Sequence, residues 1–368
     1  MFSNVYFRVD SSFKIGSGHV MRCLALADYL KKKKINTYFL KRDLDGNYIN
    51  KVKKHGHKVF KLKYKKTKNN NKKILKSFFY KNSLETTEHL DAQECLGILQ
   101  NQKTGIIIVD HYGISKIWHE IIKTKNFRII VIDDLADRNY KCDVLLDPTP
   151  GRKKIEYKKL INTKCKILVG INKVLLRDEF IIEKKMKKKK KLDKKLVKNV
   201  LISMGGSDLN NSSEFIIKNL EKIKLNIVIT LVIGKNNKNY DKLKNLIKKF
   251  DTKVIIKRNV NNMAKLINES DLGITTPSVT AIEFCYMGLP SMTITLAKNQ
   301  ELLSDNLHKL GAIIKLGYLK SIKQKYFIKK FLQIFQNHQK RQNISQNSQK
   351  ICQPNGKSLI YKNILRFH

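Results

Sequence analysis

The chain has 368 residues, 42% of them hydrophobic, and 75 Lys and Arg against 30 Asp and Glu give a formal charge of +45 at pH 7. At roughly 150 residues per domain this length predicts two domains with a core each, and no stretch approaches the roughly 18 uninterrupted apolar residues of a membrane span. The charge excess is nearly all lysine, running with Asn and Ile along the whole chain; this reads as compositional bias at solvated positions, and with no enrichment of the bidentate phosphate reader Arg it excludes nucleic acid as the expected partner.

Strand 5–9 opens the chain, and MFSNVYFRVDSS is interrupted by Arg8 and Asp10, so it lacks the apolar core of a signal peptide. Six cysteines are scattered without a C-x-x-C or a His pairing at ligand spacing. They predict free thiols in a reducing compartment, hence a cytoplasmic protein without a metal site. Further short Val- and Ile-rich runs at 37–40, 106–110, 128–132 and 143–146 each precede a turn and a helical stretch. A second set at 200–203, 227–233, 253–256, 272–275 and 291–294 keeps the rhythm. This is the pattern of buried parallel strands joined by helices, so the expected fold is α/β with two Rossmann-like doubly wound domains facing a cleft. The predicted boundaries are a first domain over 1–183, a Lys-rich linker over 184–198, a second domain over 199–318, and an exposed Lys/Gln-rich helical extension over 319–368.

Ligands of open α/β sheets bind beyond the carboxyl ends of the strands. After the first strand comes DSSFKIGSGHVMRC, where Gly16 and Gly18 permit close backbone approach and Val20, Leu24, Ala27 and Leu30 give the next helix one buried face. His19 therefore falls at a helix amino terminus, where the macrodipole favours the neutral imidazole of a general base. A capping or packing role at the turn explains the same placement. After 106–109, Asp110, His111 and Tyr112 reach a strand end; Asp110 reads as the orienter of His19, as a partner for a sugar hydroxyl, or as a helix cap. Asp133 and Asp134 follow the next strand, one expected to cap and the other to meet substrate or the facing domain. Neighbouring side chains there point opposite ways, which makes a poor two-carboxylate metal site.

In the second half, Gly205, Gly206 and Ser207 place amides near a helix amino terminus as an anion site, without the G-K-[ST] of a Walker loop. Ser278, Val279 and Thr280 open another helix with amides suited to phosphate, and Glu283, about one turn on, suits ribose hydroxyls or simply the helix dipole. Asn299 and Gln300 follow the last strand.

Taken in order, R-x-D-S-S-x-x-I-G-x-G-H-x-x-R (8–22), V-D-H-Y-G (109–113), I-D-D-L-A-x-R (132–138), L-L-R-x-E-F (175–180), S-M-G-G-S-D-x-x-N (203–211) and N-Q (299–300) make a specific set. The chain resembles the UDP-2,4-diacetamido-2,4,6-trideoxy-β-L-altropyranose hydrolases of pseudaminic acid biosynthesis, from about residue 5 to 305. The resemblance implies a GT-B-like fold and a small-molecule UDP-sugar as partner, with no cofactor and a monomeric enzyme expected. It implies that His19 activates a water that displaces UDP with inversion and without a metal. Arg22 matches the family's arginine, and UDP and sugar would be held by Asp10, Gly16, Gly18, Arg22, Asp110, Tyr112, Gly205, Gly206, Ser207, Ser278, Val279, Thr280, Glu283, Asn299 and Gln300. Ile282 departs from the Trp or Asn frequent in the family before its glutamate. A glycosyltransferase of the same architecture is the alternative implied.

Overall fold

The computed structural model describes residues 4–63, 81–102, 104–187, 196–206, 208, 210–235 and 237–367. The chain divides into two compact units, one formed by residues 1–176 with 354–368 and the other by 177–353.

Seven parallel strands build the first unit: β1 (Asn4–Val9), β2 (Asn36–Arg42), β3 (Lys58–Leu62), β4 (Thr104–Asp110), β5 (Asn126–Ile132), β6 (Val144–Asp147) and β7 (Lys166–Val169), in the order β3-β2-β1-β4-β5-β6-β7. Helices α1 (Gly18–Lys32), α2 (Ile49–Lys54), α3 (Glu88–Leu99) and α4 (Lys116–Ile122) connect them. Successive side chains of a strand point to opposite faces, and both faces here are apolar. Val5, Phe7, Ile106, Ile108, Ile130 and Ile132 pack on one side with Val20, Leu24 and Ala27 of α1. Tyr6, Ile107, Val109, Ile129 and Val131 pack on the other with Cys95 of α3 and Trp118 of α4. The order reverses between β1 and β4, so the loops after these two strands flank the switch point where such sheets bind ligands.

The second unit begins with α5 (Asp178–Lys187) and holds six parallel strands: β8 (Asn199–Ser203), β9 (Val228–Ile233), β10 (Lys253–Arg258), β11 (Leu272–Thr275), β12 (Ser291–Thr295) and β13 (Ile314–Tyr318). Their order is β10-β9-β8-β11-β12-β13, again reversing beside the first strand of the set. Helices α6 (Ser212–Glu221), α7 (Tyr240–Ile247), α8 (Met263–Glu269), α9 (Val279–Met287), α10 (Glu301–Lys309), α11 (Gln324–Gln336) and α12 (His338–Ile351) complete it, while α13 (Gly356–Leu365) belongs to the first unit.

Two expected boundaries move. The first unit ends at Leu176 instead of 183, because α5 packs on α8 and α9: Phe180 is fully buried and the Glu179 carboxylate accepts the amide of Met263. Part of the expected linker is therefore the end of α5, and its residues 188–195 lie outside the described residues. The extension after 318, expected to be exposed, is helical and packs one face into the core. Phe327, Phe331 and Ile334 of α11 recur at helical spacing and are buried in the second unit, joined by Ile344 of α12. From α13, Ile360 and Ile364 enter the core of the first unit. Its first residue, Gly356, lies so close to the Lys173 carbonyl that any side chain there would collide with backbone.

Candidate active site

Chain direction and glycine geometry place the first cluster. β1 ends at Val9, and the chain turns through Gly16 in the left-handed region at φ +79° before α1 starts at Gly18. An ideal Cβ at Gly16 or Gly18 would meet nothing within 4 Å, so the space beside this loop is open. His19 is the second residue of α1 and is buried. β4 carries Asp110 to its own carboxyl end, beneath the same helix terminus.

His19 Nδ1 lies 2.6 Å from Asp110 Oδ1. Arg22, one helical turn after His19, closes on the same carboxylate with two bonds of 2.6 Å, from Nε to Oδ2 and from Nη2 to Oδ1. Cys23 Sγ donates to Oδ2 at 3.4 Å. Burial alone would raise the Asp110 carboxyl, but Arg22 and then His19 override it and hold it far below the usual carboxylate range. An ionised carboxylate only accepts, so the proton of the His19–Asp110 bond sits on Nδ1. Arg22 Nη2 stands 3.1 Å from that same nitrogen, yet it donates to Asp110 Oδ1 and not to the ring, since a protonated Nδ1 cannot accept. The arrangement leaves Nε2 as the basic nitrogen of an imidazole whose orientation is locked by a carboxylate, as in Asp-His catalytic pairs.

Tyr112 packs its ring at a right angle to that of His19, with centroids 4.5 Å apart. Burial, reinforced by Asp134, pushes its phenol well above the ordinary tyrosine range, so it stays protonated. Asp134, beyond β5, receives Arg22 Nη1 at 3.0 Å. Its neighbour Asp133 accepts the amides of Leu135 and Ala136 at 3.2 and 2.8 Å and closes the turn. The structure thus brings His19, Arg22, Asp110 and Tyr112 together.

Asp10, one residue beyond the strand position that pairs with Asp110, enters a different set of bonds. It is fully buried, with Arg8 Nη1 at 2.8 Å, the amide of Arg42 at 2.8 Å and His111 Nε2 at 3.5 Å. Arg8 also pairs with Asp91, which binds Arg42 and Trp118 Nε1. The expectation that Asp10 contacts substrate meets a carboxylate engaged inside the domain, where it organises the ends of β1 and β2.

In the second unit Gly205 has φ +90° and is exposed beside Gly206, whose carbonyl accepts the amide of Gly234 at 2.9 Å. Ser207 lies outside the described residues. The helix amino terminus expected directly behind these glycines starts later, at Ser212, and Asp208 already occupies it: its two oxygens take the amides of Ser212 and Ser213 at 2.9 and 3.0 Å. A built-in carboxylate answers the dipole there and leaves the first amides of α6 already bonded.

α9 differs. Its N-cap Ser278 makes no side-chain capping bond, and its first backbone bond runs from Ala281 to Ser278, so the amides of Val279 and Thr280 lead the helix. Glu283, buried on the same helix, binds Arg177 Nη2 at 2.9 Å. Burial raises its carboxyl while Arg177 opposes the shift. Arg177 belongs to the L-L-R-x-E-F stretch, and only that motif hinted at it. Asn299 is exposed, and Gln300 at the cap of α10 accepts the Leu296 amide at 2.8 Å.

Comparison with known proteins follows this geometry. The chain is 29% identical over 315 residues to the UDP-2,4-diacetamido-2,4,6-trideoxy-β-L-altropyranose hydrolase of Campylobacter jejuni, covering 85% of this chain and 99% of that protein. It is 28% identical over 328 residues to the uncharacterized protein MJ1062 of Methanocaldococcus jannaschii, covering 87% of this chain but spanning only 60% of that relative's length. Among solved structures, MurG of Acinetobacter baumannii superposes with a TM-score of 0.68 at 14% identity, with 99% of each chain covered, which bears out the GT-B-like, two-domain α/β fold. The model of the glycosyltransferase family 28 C-terminal domain matches residues 171–360, just over half of the sequence. By that match the chain belongs to the glycosyltransferase family 28 C-terminal domain family.

Proposed function

We propose that this protein is a nucleotide-sugar enzyme that hydrolyses a UDP-linked diacetamido-trideoxy sugar to free sugar and UDP. The observation that carries the reading is the 2.6 Å bond from His19 Nδ1 to an ionised Asp110, which leaves Nε2 able to take a proton from water. The water oxygen bonds to the anomeric carbon as the bond to the UDP oxygen breaks, with inversion, and the water proton passes to His19. UDP is a good leaving group near neutral pH, so the departing charge needs amide and cationic stabilisation more than a strong acid. In this reading the glycine amides at Gly205 and Gly206 and the amides of Ser278, Val279 and Thr280 bind the diphosphate. Glu283 takes ribose hydroxyls, its burial tolerated through Arg177. Likeness to the Campylobacter hydrolase along nearly its whole length supports this substrate class.

Glycosyl transfer from the same donor is the second reading, favoured by the family match over residues 171–360. Incubation with the UDP-linked sugar and no acceptor, followed by NMR of the sugar and its anomer, separates the two. Hydrolysis predicts UDP and the inverted free sugar in equal amounts, whereas no release without an acceptor would overturn it. His19→Ala should lower kcat by roughly a thousandfold while UDP affinity stays within about threefold. Equal loss of both would instead make His19 a binding or folding residue.

A further inference from the structure

Asp134 is tied into the domain on three sides. Its backbone carbonyl accepts Arg152 Nη2 at 2.8 Å, and Arg152 is itself held by Asp147 at 2.6 Å and Glu156 at 2.6 Å. Its neighbour Asp133 is fixed by the turn amides and by the Tyr157 hydroxyl at 2.7 Å. Asp134's own carboxylate stays about one quarter exposed and reaches back to the cluster around His19. There Oδ2 receives Arg22 Nη1 at 3.0 Å, and the Tyr112 hydroxyl donates to the same carboxylate. Besides Asp110, Arg22 and Tyr112 lie against the His19 imidazole, at 3.1 Å from Nδ1 and with ring centroids 4.5 Å apart.

We propose that Asp134 is a positioning residue for the reaction, holding Arg22 and Tyr112 in place as the two supports that aim the His19 ring. Asp110 fixes which nitrogen of the ring carries the proton; Asp134 fixes where the ring's neighbours stand. Both of Arg22's terminal nitrogens are then committed, Nη2 to Asp110 and Nη1 to Asp134, so the guanidinium cannot rotate about its Nε bond without breaking one of them. Tyr112 can swing about its Cα–Cβ bond, and its ring stays beside His19 only while its hydroxyl is anchored. The inference rests on the reading of His19 as the base.

The test compares Asp134→Asn, Asp134→Glu, Tyr112→Phe and the Asp134→Asn/Tyr112→Phe double variant with His19→Gln, all assayed on the UDP-linked diacetamido-trideoxy sugar. Asp134→Asn should lower kcat by about 30-fold with KM within about twofold, the signature of lost alignment rather than lost binding. Asp134→Glu, which keeps the charge, should recover part of that turnover. Residues that share one bond are non-additive, so the double variant should fall well short of the product of the two single losses. Unchanged kcat in Asp134→Asn, or losses that simply multiply, would overturn the proposal. If Asp134→Asn does not fold, judged by Trp118 fluorescence, unchanged kcat in Tyr112→Phe overturns it in the same way. A His19→Gln variant that keeps its turnover would refute the base reading itself. An inactive His19→Gln beside a fully active Asp134→Asn would refute the positioning role alone.

Discussion

The two units share one topology and use it with opposite electrostatics. At the strand ends of the first, ion pairs are taken out of water: Arg8 with Asp10 and Asp91, Arg42 with Asp91, Arg22 with Asp110, and Arg152 with Asp147. In the second unit the corresponding turns after β8 and β11 offer glycine and helix amides, and Glu283 pairs with a partly solvent-exposed Arg177. Buried pairs are rarely a gain in stability over apolar residues of the same volume. One of them, Arg22 with Asp110, also holds the His19 imidazole, whereas Arg8, Asp10, Asp91 and Arg42 organise the strand ends; backbone amides suffice to recognise a group that already carries its own charge.

The largest effect should come from breaking that contrast at its centre. Asp110→Asn removes the charge and can turn an NH2 donor toward Nδ1, which favours the wrong His19 tautomer, and kcat should fall by roughly a thousandfold or more with UDP affinity within about threefold. Glu283→Ala should do the reverse, weakening UDP by about tenfold with little change in kcat. Rates for the first and equilibrium dialysis of UDP for the second check the pair, and an equal kcat loss in both would erase the division of labour.

Stability gives the next test. Phe331→Ala in α11 empties a fully buried ring position of the second unit and should cost about 3–5 kcal/mol. The chain has one tryptophan, Trp118, and it lies in the core of the first unit, so its fluorescence follows that unit. Circular dichroism should then show an earlier urea transition while the Trp118 midpoint stays put. A common shift would show that the units unfold as one.

The smallest effect is a pH slope peculiar to the first unit. Burial lowers His111 and His119 to about 3, so each is neutral in the folded state and charged when unfolded below its ordinary value near 6.5. Both contribute stability that rises as pH climbs from about 3 to 6.5. Asp147 runs the other way: burial and then Asp133 raise it to about 6 from 3.8, so its folded form holds a proton that the unfolded chain has lost, and stability falls across that window. Two groups against one leave a net slope of about one proton between pH 4 and 6, stability increasing with pH. Asp147→Asn should steepen it toward two protons in urea titrations followed by Trp118 fluorescence. An unchanged slope would remove Asp147 from the account.

Much of this architecture is legible in the sequence. Interior strands such as β4 and β5 are buried on both faces and read as continuous apolar runs. The strands that escape such reading, β3, β7 and β13, are all sheet edges. One side of an edge strand meets solvent, so lysines break the run, as in KVFKL and IKLGY. The buried stripe of α11 is likewise disguised by the Lys and Gln between its phenylalanines. At the site, the strand-end rule finds His19, Asp110 and Tyr112, since local sequence determines where a strand stops. It does not find that Asp10 turns inward, because that depends on the Arg42 amide and His111 that distant segments bring alongside. The bonds from Asp208 to the first amides of α6 are local, and the glycines before it drew the reading of that terminus away from the carboxylate.

The return of α13 to the first unit also sets an order of manufacture. Ile360 and Ile364 leave the ribosome only after every residue of the second unit has been made. The domain begun first is thus completed last, and for most of translation the apolar flank that α13 will cover stands open, a task for whatever chaperones attend the nascent chain.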